Sequence, residues 1–161
     1  MSELSSSRQR ALVERIELAL RDVRCSGADL RMSEPKFTAA KLTPSVEAVV
    51  NPFQSSSLRV RGDGCSQQAV PATLLGANFY PDVAITYRRT DCLWAAEVKF
   101  LKGSDFSGAL SKAVGQANVY LSRYRYVTLV LVADRRHGTE EIESLSGMWP
   151  KRLGYVLLSP S

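Results

Sequence analysis

A single histidine, His137, and three widely spaced cysteines, Cys25, Cys65 and Cys92, remove several chemistries from this 161-residue chain. One imidazole excludes a two-histidine zinc site and hydrolysis by a pair of histidines. An odd cysteine count without close pairs points to reduced structural thiols, not a disulfide framework or a zinc cluster. Long hydrophobic runs are also missing: the longest, Tyr126 to Ala133, is far too short to span a bilayer. The chain opens on serines, Glu3 and arginines where a secretory signal would need an apolar run, so a cytoplasmic protein without membrane attachment is expected. Lysine is scarce, with 6 against 15 arginines, and the net charge is +5. Arginine's planar fork suits phosphate and base contacts, which leans the balance toward nucleic acid.

The length and a 45% hydrophobic content suit one domain with one core. Residues 8–24 carry apolar side chains at 12, 16, 19, 20 and 23, the spacing of one helical face, with Gly27 as a stop beyond it. From 28 to 77 four prolines, "SSS" and "GDG" punctuate short pieces, so this part reads as an irregular insertion, within which Thr43-Pro44 opens a short helix to Val50 and "LRVR" forms a strand. "RGDG" at 61–64 reads as a turn. The core is expected at 8–24 and 78–158: strands at about 80–88 and 92–101, a helix capped by Ser104, the apolar strand "YVTLVLVAD", a helix from Thr139 and a last strand "GYVLLS". That order predicts an α/β sandwich, a central mixed sheet flanked by helices.

The alternation in "PDVAITYRRTDCLWAAEVKF" is the most informative stretch. Val83, Ile85 and Tyr87 share one face with Trp94, Ala96, Val98 and Phe100, which leaves Asp82, Glu97 and Lys99 on the other among alanines. A two- or four-residue loop pairs 82 with 99 and 84 with 97, keeping core against core, and sets Asp82 diagonal to Glu97. Two carboxylates converging from neighbouring strands call for a cation, and a hard ion such as Mg²⁺ takes oxygen ligands of this kind, with the Val98 carbonyl as a further donor. Lys99 would then orient a water or offset charge on a phosphate.

Pro81-Asp82 followed, after fourteen intervening residues, by Glu97-Val98-Lys99 resembles the PD-(D/E)xK nuclease superfamily, with its restriction-endonuclease-like fold. The resemblance covers about residues 78–134 and, less closely, the first helix. It implies Mg²⁺-dependent hydrolysis of phosphodiester bonds, with Mn²⁺ as a substitute, metal ligands at Asp82 and Glu97 and a catalytic lysine at Lys99. Chance alone supplies about 0.6 acid-x-Lys triplets in such a composition. "EPK" at 34–36, twelve residues after Asp22, meets the same loose spacing; Pro35 and the helical setting of Asp22 mark it as a decoy.

Lys112, Gln116 and Tyr120 form one stripe on the following helix, and "QANVY" is similar to the Gln-x₃-Tyr of several exonuclease branches of the superfamily, although the histidine those branches carry upstream is missing. The superfamily often adds an acid from the first helix: Glu17 is the first choice, ahead of Glu14, with Glu47 as another helical candidate. Lys102, Lys112, Arg123 and Arg125, with Tyr120, Tyr124 and Tyr126 interleaved, could neutralise phosphates and stack on bases. The expected function is a Mg²⁺-dependent nuclease, DNA favoured over RNA and endonucleolytic, acting alone, as a homodimer or in a larger complex. The rival is a subunit of the same fold that binds nucleic acid or assembles without cleaving.

Overall fold

A computed structural model describes residues 4–53, 57–89, 91–134 and 139–161. Helix α1 (Ser6–Arg21) leads through an irregular stretch to α2 (Glu34–Phe37), a wide turn of π geometry (Thr38–Leu42) and α3 (Thr43–Val50). Pro44 cannot donate a helical hydrogen bond, and the wider turn before it accommodates the loss. Strand β1 (Leu58–Gly62) and the ribbon β2 (Ala72–Leu74) and β3 (Ala77–Phe79) follow. Then come β4 (Val83–Tyr87), β5 (Asp91–Leu101), α4 (Phe106–Leu121), β6 (Tyr126–Ala133), α5 (Thr139–Ser146) and β7 (Leu153–Leu158).

The main sheet has five strands in the order β1-β4-β5-β6-β7. Its first two pairings are antiparallel, and β5-β6 and β6-β7 are parallel. The chain is therefore an α/β protein with a mixed sheet, as the pattern of periods predicts. On one face Leu12, Ile16, Leu20 and Val46 of α1 and α3 pack on Ile85, Trp94, Ala96 and Val98. On the other, Leu110, Ala113 and Ala117 of α4 and Ile142 of α5 pack on Ala84, Ala95, Leu101 and Leu129. Each large side chain fully buried in these layers stabilises the fold by about 1.5–3 kcal/mol.

Three expectations are corrected. The stretch 28–77 is part of the core and not an insertion beside it: the expected helix and strand are present within it, as α3 packed with α1 and as the sheet's edge strand β1. Ser104 does not cap α4, because it lies in a 3-10 turn, Gly103–Asp105, that precedes the helix. The hairpin register differs too: Val83 faces Ala96 and Ala84 faces Ala95, so β5 is slid by two residues from the expected pairing. Three residues separate the Tyr87–Asp91 pair, an odd loop that by itself would turn core against solvent. A bulge restores the parity: Ile85 pairs with Trp94 but Thr86 with Cys92, which leaves Leu93 as the extra residue.

Candidate active site

Strand β5 runs on past the point where β4 ends, and the site grows from that mismatch. The ladder stops at Val83–Ala96; Asp82 still donates its N–H to the Ala96 carbonyl at 3.1 Å, and Pro81, without an N–H, takes the ladder no further. The edge of β5 beyond it has donors to satisfy. Val98 N–H donates to Asp82 Oδ2 at 2.7 Å, and Phe100 N–H to Glu34 Oε1 at 3.0 Å. Two carboxylates thus stand where a neighbouring strand would have placed carbonyls.

Glu97 lies on the α4 face of β5, 4% exposed, and accepts a hydrogen bond from the Tyr120 hydroxyl at Oε2, 2.9 Å. The same hydroxyl is 3.0 Å from the Tyr80 carbonyl, so Tyr120 ties the approach to Asp82 to Glu97. Lys99 sends its ammonium to Glu34 Oε2 at 3.0 Å. A turn brings in a further acid: Asp63 N–H donates to the Asp82 carbonyl at 2.8 Å. Gly62 (φ +116°) permits this approach, since a Cβ there would collide with the Asp82 carbonyl.

Burial dominates the electrostatics. It pushes the Asp82 carboxyl up, against the pull of the Val98 N–H, and the charges of Asp63 and Glu34 add to the rise while Lys99 opposes it. Glu97 is raised by burial first and by Asp82 second, with the Tyr120 hydroxyl and Lys99 opposing. Burial, then Glu97, pushes the Tyr120 phenol far up, so it remains a donor. Two buried carboxyls that resist ionisation mark Asp82 and Glu97 as candidates for holding a cation or sharing a proton.

The donor set fits Mg²⁺. Asp82 Oδ1 and Glu97 Oε1 carry no hydrogen bond among the described residues, and the Val98 carbonyl points to the same side of β5 as its N–H, toward Asp82. Among the described residues no group of three or more His, Cys, Asp or Glu side chains converges on one point, so an ion here would take at most two side-chain ligands, with the backbone and waters completing its shell.

Compared with protein-family models, curated proteins and solved structures, the chain finds no match. The site therefore stands on its own geometry.

Asp82 is bonded to Val98, and Glu97 and Lys99 flank Val98 on β5, near enough for Lys99 to bear on the Asp82 charge and Asp82 on that of Glu97, with Gln116 and Tyr120 on α4. Gln116 Oε1 is buried and has no hydrogen-bond partner among the described residues. Tyr120 is wholly buried against Glu97, so it cannot stack on a base as expected. Lys112 is exposed on α4. Lys102 reaches the Leu30 carbonyl and lies 4.9 Å from the Phe100 ring centroid, at the end of β5 nearest the site.

Other candidates are elsewhere. Glu17 accepts from Thr128 Oγ1 at 2.8 Å, and Thr128 accepts from Trp94 Nε1 at 2.9 Å, all on the α1 face. A Cβ at Gly154 would strike Glu17, so the glutamate lies over the Thr128–Gly154 pair of β6 and β7 and does not join Asp82. Glu14 pairs with Arg10 at 3.3 Å on the exposed side of α1, and Glu47 faces the surroundings of Cys65. Arg123 and Arg125 are corrected as well: Arg125 N–H donates to the Cys92 carbonyl, at the start of β5. At about 3.3 Å per residue they stand roughly 16–23 Å from Glu97 and Lys99. There they line a cleft of about 630 Å³ with Arg152, Ser6 and Gln9, away from the carboxylates.

The acid that does reach Lys99 is Glu34, from the "EPK" set aside as a decoy. It sits at the start of α2, with Ser33 Oγ accepting from Lys36 N–H at 3.4 Å and Pro35 in the first turn. Ser-Glu-Pro is a legible helix start. Nothing local, however, places that helix against a strand 65 residues away.

Proposed function

We propose that this chain is a Mg²⁺-dependent nuclease of the PD-(D/E)xK type, with a restriction-endonuclease-like fold, that hydrolyses phosphodiester bonds in nucleic acid, DNA in preference to RNA. The observation that carries the reading is the hydrogen bond from Val98 N–H to Asp82 Oδ2, which fixes the aspartate on the open edge of β5 beside Glu97 and Lys99.

Asp82, Glu97 and the Val98 carbonyl would hold the ion. When bound it would polarise a phosphoryl oxygen and lower the pKa of a water. The chain's own contribution is to place charge. Val98 N–H fixes Asp82, Tyr120 fixes Glu97, and Glu34 holds the Lys99 ammonium at the rim, where a phosphate would meet it. Tyr120 lies against Glu97, which at 4% exposure is kept from bulk water. Such preorganised groups need no rearrangement as charge develops on the phosphate.

The Glu34–Lys99 ion pair also favours a second reading, a subunit that binds nucleic acid without cleaving it, because the lysine already has a carboxylate partner. Purified protein incubated with plasmid, linear duplex, single-stranded DNA and RNA, in Mg²⁺ or chelator, separates the two. Chelator-sensitive cleavage abolished by Lys99→Ala is the expected result. Cleavage that survives Lys99→Ala overturns the assignment, and salt-sensitive binding without cleavage establishes the second reading.

A further inference from the structure

The β2-β3 ribbon ends in a two-residue turn, Leu75-Gly76, closed by the Leu74–Ala77 pair. Both turn residues have positive φ, 50° and 81°, as the tight turns that match strand twist require. Asparagine, aspartate and glycine fill the first position readily; leucine is among the residues least suited to it. Nor does packing offset the strain, since Leu75 is 99% exposed and its neighbour Leu74 is 48% exposed. A strained apolar residue held wholly in solvent points to a use outside the fold.

The base of the ribbon is rigid. Ala72 is buried against the α4 layer, and Thr73 Oγ1 donates to Asn78 Oδ1 across the strands at 2.8 Å. Tyr124 hydroxyl donates to the Val70 carbonyl at 2.6 Å on the incoming leg, and the Tyr120 hydroxyl lies 3.0 Å from the Tyr80 carbonyl on the outgoing one. The outgoing leg continues directly into Asp82, and Tyr120 also holds Glu97. Tyr120 of α4 and Tyr124 just beyond its end thus tie the ribbon to the helix that also holds Glu97.

Its charge narrows the partner. Residues 65–81 contain no charged side chain in a protein of net charge +5, so the ribbon is not built to grip phosphates. Two leucines on so narrow a tip offer little of the roughly 800 Å² per side that a stable protein interface buries. A single apolar side chain is enough, by contrast, to open a gap between stacked bases.

We propose that the ribbon is a wedge whose Leu75 side chain inserts between stacked base pairs of a duplex engaged at Asp82 and Glu97. The identity of the duplex rests on the nuclease reading; the insertion is tested without it. Asp82 lies seven positions beyond Leu75 in the chain, a span of at most about 25 Å, so the wedged step lies within about seven base pairs of the phosphate at the carboxylates.

Leu75→Asn creates Asn-Gly, the pair this turn prefers, so the variant is expected to melt at the same temperature as the wild type or higher. The probe is a duplex oligonucleotide carrying 2-aminopurine at successive positions, bound in Ca²⁺ or chelator, with anisotropy confirming saturation. Wild-type protein is expected to raise fluorescence about threefold or more at one step, and Leu75→Asn to leave it at the free-duplex level. In Mg²⁺ the variant should lose about tenfold in duplex cleavage and keep single-strand cleavage. Fluorescence that rises without any cleavage supports the wedge and sinks the nuclease reading; cleavage without a rise does the reverse. An equal rise with Leu75→Asn, or no duplex binding by the wild type, overturns the wedge. So does a wild-type dimer in sedimentation that Leu75→Asn dissolves, which would assign the tip to self-association.

Discussion

Glu34 holds Lys99 and its neighbour at once: one carboxylate oxygen takes the lysine ammonium at 3.0 Å, and the other takes the Phe100 backbone N–H at 3.0 Å. The glutamate therefore fixes both the direction of the lysine and the edge of the strand that carries it. Glu34→Gln keeps an acceptor for Phe100 N–H but loses the ion pair, and is expected to lower kcat about tenfold with KM little changed. Glu34→Ala also orphans that N–H and should cost about 1–3 kcal/mol of stability. Steady-state kinetics and thermal melting separate the two variants.

The carboxyl pair makes stability depend on pH in an unusual direction. Asp82 is pushed up to about 7 and Glu97 to about 8 from ordinary values of 3.8 and 4.5. Between those limits the folded chain holds protons that the unfolded chain has released, so stability falls as pH rises through the folded values. Without divalent ions the melting temperature should drop between pH 5 and pH 8. If Mg²⁺ or Mn²⁺ is held by the ionised pair, as proposed, added ion should stabilise more as pH rises. Asp82→Asn should flatten the pH dependence and abolish the ion's effect; a melting temperature insensitive to both ions at pH 8 would exclude the metal site.

Tyr120→Phe removes the hydroxyl beside the Glu97 and Tyr80 oxygens. A cost of about 1–3 kcal/mol is expected, visible as a lower denaturant midpoint. Glu97 should then also require higher pH to ionise, because a hydrogen bond that favours its charged form is gone. An unchanged pH profile of metal binding in this variant would count against Glu97 as a ligand.

Gln116 presents the opposite case. Its Oε1 is buried without a partner among the described residues, so Gln116→Leu removes an unmet polar atom and should leave stability equal or slightly higher. If that oxygen serves a bound nucleic acid, the same change should weaken binding by about tenfold, measured by anisotropy in Ca²⁺.

Glu17→Gln keeps an acceptor for Thr128 and lies on the far face of the sheet. Cleavage within about twofold of wild type is expected, against loss of at least about a thousandfold for Asp82→Asn. Parallel assays on one substrate decide whether the first helix contributes an acid.

The sequence by itself determined which residues of each strand share a face, because alternation with period two is a local property: Trp94, Ala96 and Val98 had to face one way, and Glu97 and Lys99 the other; that helices bury both faces of β5 was decided by the packing. It likewise set α1, α4 and the doubly covered β6, and it singled out Asp82, Glu97 and Lys99, which the fold brings to one edge of β5. Only the tertiary structure decided which distant groups meet them. The two-residue slide of β5 depends on a bulge at Leu93, which the alternation does not reveal. Glu34 arrives at Lys99 through the packing of α2 near the end of β5, while Glu17, with equally good helical credentials, is drawn to Thr128. Arg123 and Arg125 are near the motif in sequence but far from it in space, because the sixteen residues of α4, at 1.5 Å each, carry the chain about 24 Å back along the sheet. Periodicity records a residue's own surroundings; partners brought by long loops and helices are chosen by how whole layers pack.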